Sequence, residues 1–188
     1  MSALLDTEPT LAESEYFQSI VGLTKIGSSS GIPMLHSKEI IMPNTIRLHR
    51  VLAASPEKVY RAFLEADALA KWLPPNGFTC TVHHLEPTVG GTHRMSFRNF
   101  TTGNSHSFGG SYLELVPNEK LRYTDKFDDP NLPGEMEVTV TLKKVSVGTE
   151  LNVVQAGVPD VIPPEACYLG WQQSLRNLAK LVEPEIND

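Results

Sequence analysis

From Asn44 to Gln155 apolar and polar residues keep changing places with a period of two. Met136, Val138, Val140 and Leu142 share one parity, with Glu137, Thr139, Thr141 and Lys143 on the other. Leu121, Tyr123, Asp125 and Phe127 separate in the same way from Arg122, Thr124 and Lys126, as do His93, Met95 and Phe97 from Arg94, Ser96 and Arg98. Successive side chains of a strand point to opposite faces, so this pattern predicts strands over 45–52, 79–85, 92–100, 105–116, 121–127, 135–145 and 149–155. The last six are joined by short turns such as Gly90-Gly91, Thr101-Thr102-Gly103-Asn104 and Val147-Gly148, which makes them consecutive and antiparallel. Gly109-Gly110 falls inside a strand pattern and predicts a bulge that bends the sheet.

Twice the period lengthens to three or four. After the first strand, Ser55 stands as an N-cap before Pro56 at the first helical position, and Val59, Tyr60, Phe63 and Leu64 form a stripe. A second short helix over 67–73 ends at Pro74-Pro75. Near the end, Pro163-Pro164 opens and Pro184 closes a stretch in which Cys167, Trp171, Leu175, Leu178 and Val182 recur every three or four residues. This predicts one amphipathic helix of about five turns. A helix of that length has to bury its stripe against the sheet, and the chemistry is expected between the two.

Residues 1–43 differ in texture. Tyr16-Phe17-Gln18-Ser19-Ile20-Val21 suits a short helix or docking segment, but Gly27-Ser28-Ser29-Ser30-Gly31 has linker composition. The reading is an extension over 1–43, a globular unit over 44–184 and a tail over 185–188, with Met42 an alternative start. Sixteen Lys and Arg against 22 Asp and Glu leave a net charge of −6 without a basic cluster, which argues against nucleic acid as a partner. No run of eighteen apolar residues predicts a membrane span. Two cysteines, Cys80 and Cys167, form no framework and suit a reducing cytoplasm, although a bridge between them stays open.

Four stretches carry a specific resemblance when taken in order: Arg50-Val51 with the capped Ser55-Pro56-Glu57-Lys58-Val59-Tyr60-Arg61-Ala62-Phe63 helix, Lys71-Trp72-Leu73-Pro74-Pro75, Gly90-Gly91-Thr92-His93-Arg94-Met95, and Gly170-Trp171-Gln172-Gln173-Ser174-Leu175-Arg176-Asn177-Leu178. From about Thr45 to Glu183 the chain resembles the activator of heat-shock-protein ATPase homologue family, of the START-like or SRPBCC superfamily. The resemblance implies an α+β helix-grip fold: a curved antiparallel sheet around a long C-terminal helix, with two short helices after the first strand. It also implies an internal cavity that takes a hydrophobic ligand in many members. Forty-three residues are too few for the separate domain with which the eukaryotic co-chaperones engage their chaperone, so ATPase activation is not carried over. A chaperone remains a possible partner, and the family suggests stress response.

The candidate ligand-binding residues are Trp72, His93, Phe97, Tyr123, Phe127, Val140, Cys167 and Trp171. The two tryptophans offer a flat apolar wall and one directional donor each; a closed core at the junction of clip and long helix is the preferred reading for Trp72 and an equal one for Trp171. His93 shares its parity with Met95 and Phe97, where an imidazole orients a polar head or serves as a base, or is simply structural. Asp125 lies on the same inner parity as Tyr123. Either Arg50 or Arg94 pairs with it across a bulge, or it sits in water at the strand's open end; the second is the expectation. His83 and His84, being consecutive, point to opposite faces, and with His93 and His106 they make no ligand set, so no metal and no cofactor are expected.

Two functions from different classes follow: a non-catalytic carrier of a small hydrophobic or amphipathic ligand, which is preferred, and a cyclase- or hydratase-type enzyme using His93, Asp125 or Tyr123. A surface-acting chaperone partner is the third. Sequence leaves monomer or homodimer open.

Overall fold

The computed structural model describes residues 44–186, so the readings for residues 1–43 lie outside the described residues. Seven strands form one antiparallel sheet: β1 (Asn44–Leu52), β2 (Phe78–Leu85), β3 (Thr92–Asn99), β4 (Ser105–Val116), β5 (Lys120–Phe127), β6 (Met136–Val145) and β7 (Gly148–Val158). Their order across the sheet is β1-β7-β6-β5-β4-β3-β2, a meander of hairpins onto whose far edge the first strand is added. Between β1 and β2 stand two short helices, α1 (Pro56–Ala62) and α2 (Ala66–Trp72), and the chain closes with α3 (Pro164–Val182). This is the helix-grip α+β arrangement that the resemblance implies, with the strands and helices where the alternation and the helical periods predict them.

The short helices form where the sequence places them. Ser55 accepts the Lys58 backbone N–H at 3.4 Å, and Pro56 needs no hydrogen-bond partner for its nitrogen at the first position. Polar bonds then fasten this clip to α3. Ser174 Oγ donates to Leu73 O at 2.6 Å, Gln173 accepts the Asn76 N–H at 3.0 Å, and Lys58 Nζ donates to Pro184 O at 2.7 Å.

Two local expectations change. Gly109-Gly110 is not the bulge; the register between β4 and β5 shifts between Tyr112 and Glu114. The glycines answer to close approach instead, since a Cβ on Gly110 would overlap the Thr124 carbonyl and one on Gly109 the His93 carbonyl. A second irregularity lies between Val82 and His84, and it breaks the alternation on which opposite faces for His83 and His84 depended. Both histidines are exposed, and His83 Nε2 meets Ser96 Oγ at 2.8 Å. No described helix is long and apolar enough to cross a membrane.

Register divides the grip into a filled end and an open end. On β6, Val140 faces Leu121 of β5 and Val153 of β7, and all three are sealed from solvent. Leu175, Leu178, Ala179 and Val182 of α3 belong to the same core. One step earlier on β6, Val138 faces Tyr123 and Gln155, and there the interior ceases to be solid.

Candidate functional site

A partly open cavity of about 250 Å³ lies at that end. Packed interiors hold few voids larger than a water molecule, so a space of this size is a built feature. Each element supplies the side chains of its inner parity. His93, Met95 and Phe97 come from β3, His106, Phe108 and Tyr112 from β4, and Tyr123, Asp125 and Phe127 from β5. Met136, Val138 and Gln155 follow from β6 and β7. Phe63, Leu69 and Leu73 of the clip region close one side, and Cys167, Gly170, Trp171 and Ser174 of α3 close another. The aromatic rings meet edge to face: Phe97 and Phe108 at 4.8 Å between centroids, Phe108 and Phe127 at 6.2 Å.

Six of the eight sequence-predicted residues, His93, Phe97, Tyr123, Phe127, Cys167 and Trp171, border this cavity. Trp72 and Val140 do not. Trp72 is 0% exposed, stacks edge-on against Phe63 at 4.8 Å, and donates its indole N–H to Ala62 O at 2.8 Å, which makes it the pin between the two clip helices. Val140 has the right parity but lies a step too deep, in the filled end.

Apart from His106, and Ser174 whose hydroxyl is given to Leu73 O, the polar groups of the lining gather at two places. The first is Gln155, whose Oε1 accepts the Trp171 indole N–H at 2.6 Å and the Cys167 thiol at 3.3 Å while Nε2 faces Met136 Sδ at 3.0 Å. Both cysteines are free, and burial pushes each thiol up to about 11.

The second is a cluster of His93, Asp125, Tyr112 and Tyr123. The His93 ring lies 5.5 Å from that of Tyr112 and 5.6 Å from that of Tyr123, and its Nε2 is 3.6 Å from Asp125 Oδ1. Asp125 is therefore not in water at an open strand end, and neither arginine pairs with it. Arg94 forms its ion pair with Asp128 instead. Burial raises the Asp125 carboxyl above its ordinary range, against the opposing pull of His93, and it drives both tyrosine hydroxyls upward, with the nearby Asp125 adding to the effect. Asp125 Oδ1 and His93 Nδ1 have no hydrogen-bond partner among the described residues.

Sequence reasoning missed Gln155, Phe108 and Tyr112. The parity of β4 sets His106, Phe108 and Tyr112 on one face, and that of β7 sets Gln155 with Leu151 and Val153, so the signal was there for both. A glutamine at the end of an apolar alternation simply reads as the strand leaving the core.

Comparison with known proteins agrees with this architecture. The family model described as Activator of Hsp90 ATPase homolog 1-like protein matches residues 53–183. Among solved structures, a protein from Chromobacterium violaceum is 63% identical, with 77% of this chain and 100% of that chain covered and a TM-score of 0.75. One from Rhodobacter sphaeroides is 26% identical over 72% and 90% of the two chains, with a TM-score of 0.65. The AHSA1-like protein from Aeromonas hydrophila, at 20% identity over 74% and 92% and a TM-score of 0.62, shares the fold. No curated protein matches the sequence.

Proposed function

The chain belongs to the Activator of Hsp90 ATPase homolog 1-like family, and from that premise we propose that it holds one small hydrophobic or amphipathic molecule between sheet and α3, without chemical change to it. The cavity of about 250 Å³ supports this reading, because its lining is mostly aromatic and aliphatic, with His106, Ser174 and two polar clusters as the exceptions. A dry apolar void of about 150 Å³ already accommodates benzene, so this one suits a body of roughly two fused rings. The proposed setting is a reducing cytoplasm, consistent with two free thiols. Native mass spectrometry of freshly purified protein, with Nile red as an uncharged fluorescent probe, tests the proposal. A retained small molecule, or saturable Nile red binding at one site per chain, is expected; neither being found would sink it.

A second reading is acid–base catalysis in the same cavity, and the approach of His93 to Asp125 supports it, because a carboxyl group beside an imidazole orients the ring for proton transfer. Its sign would be turnover or solvent hydrogen exchange of a bound carbonyl compound, lost in His93→Gln. The family's name points to a third, a chaperone as partner. Val89, Phe100 and Val147, the most exposed large apolar residues of the strand connections, lie on three different turns.

A further inference from the structure

The polar chemistry of the cavity narrows the class of ligand, given the ligand-holding reading on which this step rests. Neither lysine, arginine nor glutamate borders the cavity among the described residues. Besides phenols and a thiol, the titratable groups on its lining are His106 and the pair of His93 with Asp125, and that pair sums to zero both as imidazolium with carboxylate and as neutral imidazole with carboxylic acid. A carboxylate ligand would find no guanidinium or ammonium to pair with. An ammonium ligand would need Asp125 stripped of its proton beside a neutral imidazole, the state that burial of this carboxyl works against.

The two polar clusters are also unequal. Gln155 is already occupied within the protein at both polar atoms of its amide, by Trp171, Cys167 and Met136. At the other cluster Asp125 Oδ1 and His93 Nδ1 have no hydrogen-bond partner among the described residues, the Asp125 side chain is 16% exposed, and two phenols stand beside them. A hydroxyl both donates and accepts, so it can give its proton to a carboxyl oxygen and accept one from a phenol or an imidazole, whichever tautomer is present. A carbonyl or ether oxygen meets donors only.

We infer that the ligand is uncharged and amphipathic, with a hydroxyl at one end taken up by Asp125, Tyr112 and Tyr123, and its apolar body directed towards Trp171. Four probes of one ring system test this on the full chain at pH 7: naphthalene, 2-naphthol, 2-naphthoate and 2-naphthylmethylammonium, each titrated against bound Nile red. The expected result is that 2-naphthol binds at least tenfold more tightly than either charged probe and severalfold more tightly than naphthalene. Asp125→Leu brings 2-naphthol down to the level of naphthalene while Nile red still binds. Tyr112→Phe, which removes a single oxygen, weakens 2-naphthol alone and serves if the leucine variant does not fold. Binding of the carboxylate or the ammonium as tight as that of 2-naphthol overturns the inference, as does 2-naphthol no better than naphthalene, while leaving the carrier reading intact. Failure of every probe, Nile red included, removes the carrier reading and this inference with it.

Discussion

Trp171 on α3 donates its indole N–H to the side-chain carbonyl of Gln155 on β7 at 2.6 Å. The bond spans from helix to sheet beside the cavity, so the aromatic wall there is held by a polar contact rather than by close packing on all sides. Trp72, by contrast, is enclosed completely and anchored to Ala62 O.

The two tryptophans therefore should respond differently to truncation. Trp72→Ala leaves a new void and an orphaned carbonyl, and is expected to cost the ~3–5 kcal/mol of a packed aromatic. Trp171→Ala enlarges a space that is already open and leaves Gln155 with the Cys167 thiol, so it should cost less than that range and alter Nile red binding. Urea titrations of both variants beside a binding assay decide; equal losses with unchanged binding would remove the distinction between wall and core.

Gly110→Val is expected to destabilise by about 3 kcal/mol or more, because its side chain has to displace the Thr124 backbone of the neighbouring strand. Thr141→Val, in β6 between Lys120 and Asn152, should shift stability by less than about 1 kcal/mol. Similar thermal midpoints for the pair would refute close approach as the reason for glycine at 110.

Asp125→Asn tests the cost of the buried carboxyl. Its folded pKa is raised, chiefly by desolvation, so the folded state binds the proton more tightly than the unfolded chain does. Stability from this group is thus complete below the unfolded carboxylate pKa near 4 and is lost as pH rises through the folded value. The asparagine variant should be at least as stable as the parent at pH 7, and its advantage should shrink towards pH 4. A variant markedly less stable at pH 7 would mean that the His93 contact outweighs desolvation.

At the alkaline end the sign is the same. Cys80 and Cys167 ionise near 11 in the folded protein and near 9 when exposed, so stability is full below pH 9 and falls between about 9 and 11 as unfolding releases protons. Tyr112 and Tyr123, also raised, reinforce the fall. Stability measured at pH 8, 9, 10 and 11 should hold to about pH 9 and decline above it, less steeply in a Cys80→Ala, Cys167→Ala double variant. Native thiols should react slowly with iodoacetamide at pH 8 and rapidly in urea. A flat stability profile up to pH 11 would contradict the burial argument.

The meander from β2 to β7, the capped clip and the long helix were legible in the sequence because each depends on local periodicity and on punctuation by Pro56, Pro74 and Pro164, whereas the pairing of β1 with β7 was not. Parity also placed most of the cavity lining, for it reports which face of the sheet a residue occupies. It does not report depth. Val138 and Val140 have equal claims by alternation, and only their cross-strand partners, Tyr123 with Gln155 against Leu121 with Val153, separate wall from core. Asp125 was misplaced for a related reason: its burial depends on His93, Tyr112 and Tyr123, brought together by the pairing of three strands.

The position of β1 bears on how the molecule comes into being on a ribosome. Among the described residues its one sheet neighbour is β7, and the His49–Glu150 contact between them joins residues 101 apart in sequence. At synthesis rates of about 5–20 residues per second, the apolar face of Ile46, Leu48 and Leu52 waits roughly 5–20 s for its mate, while each hairpin of the meander can zip as it emerges. Attachment of the first-made strand is thus among the last long-range events, and nascent chains stalled before β7 would expose that stripe to holdase chaperones or to one another.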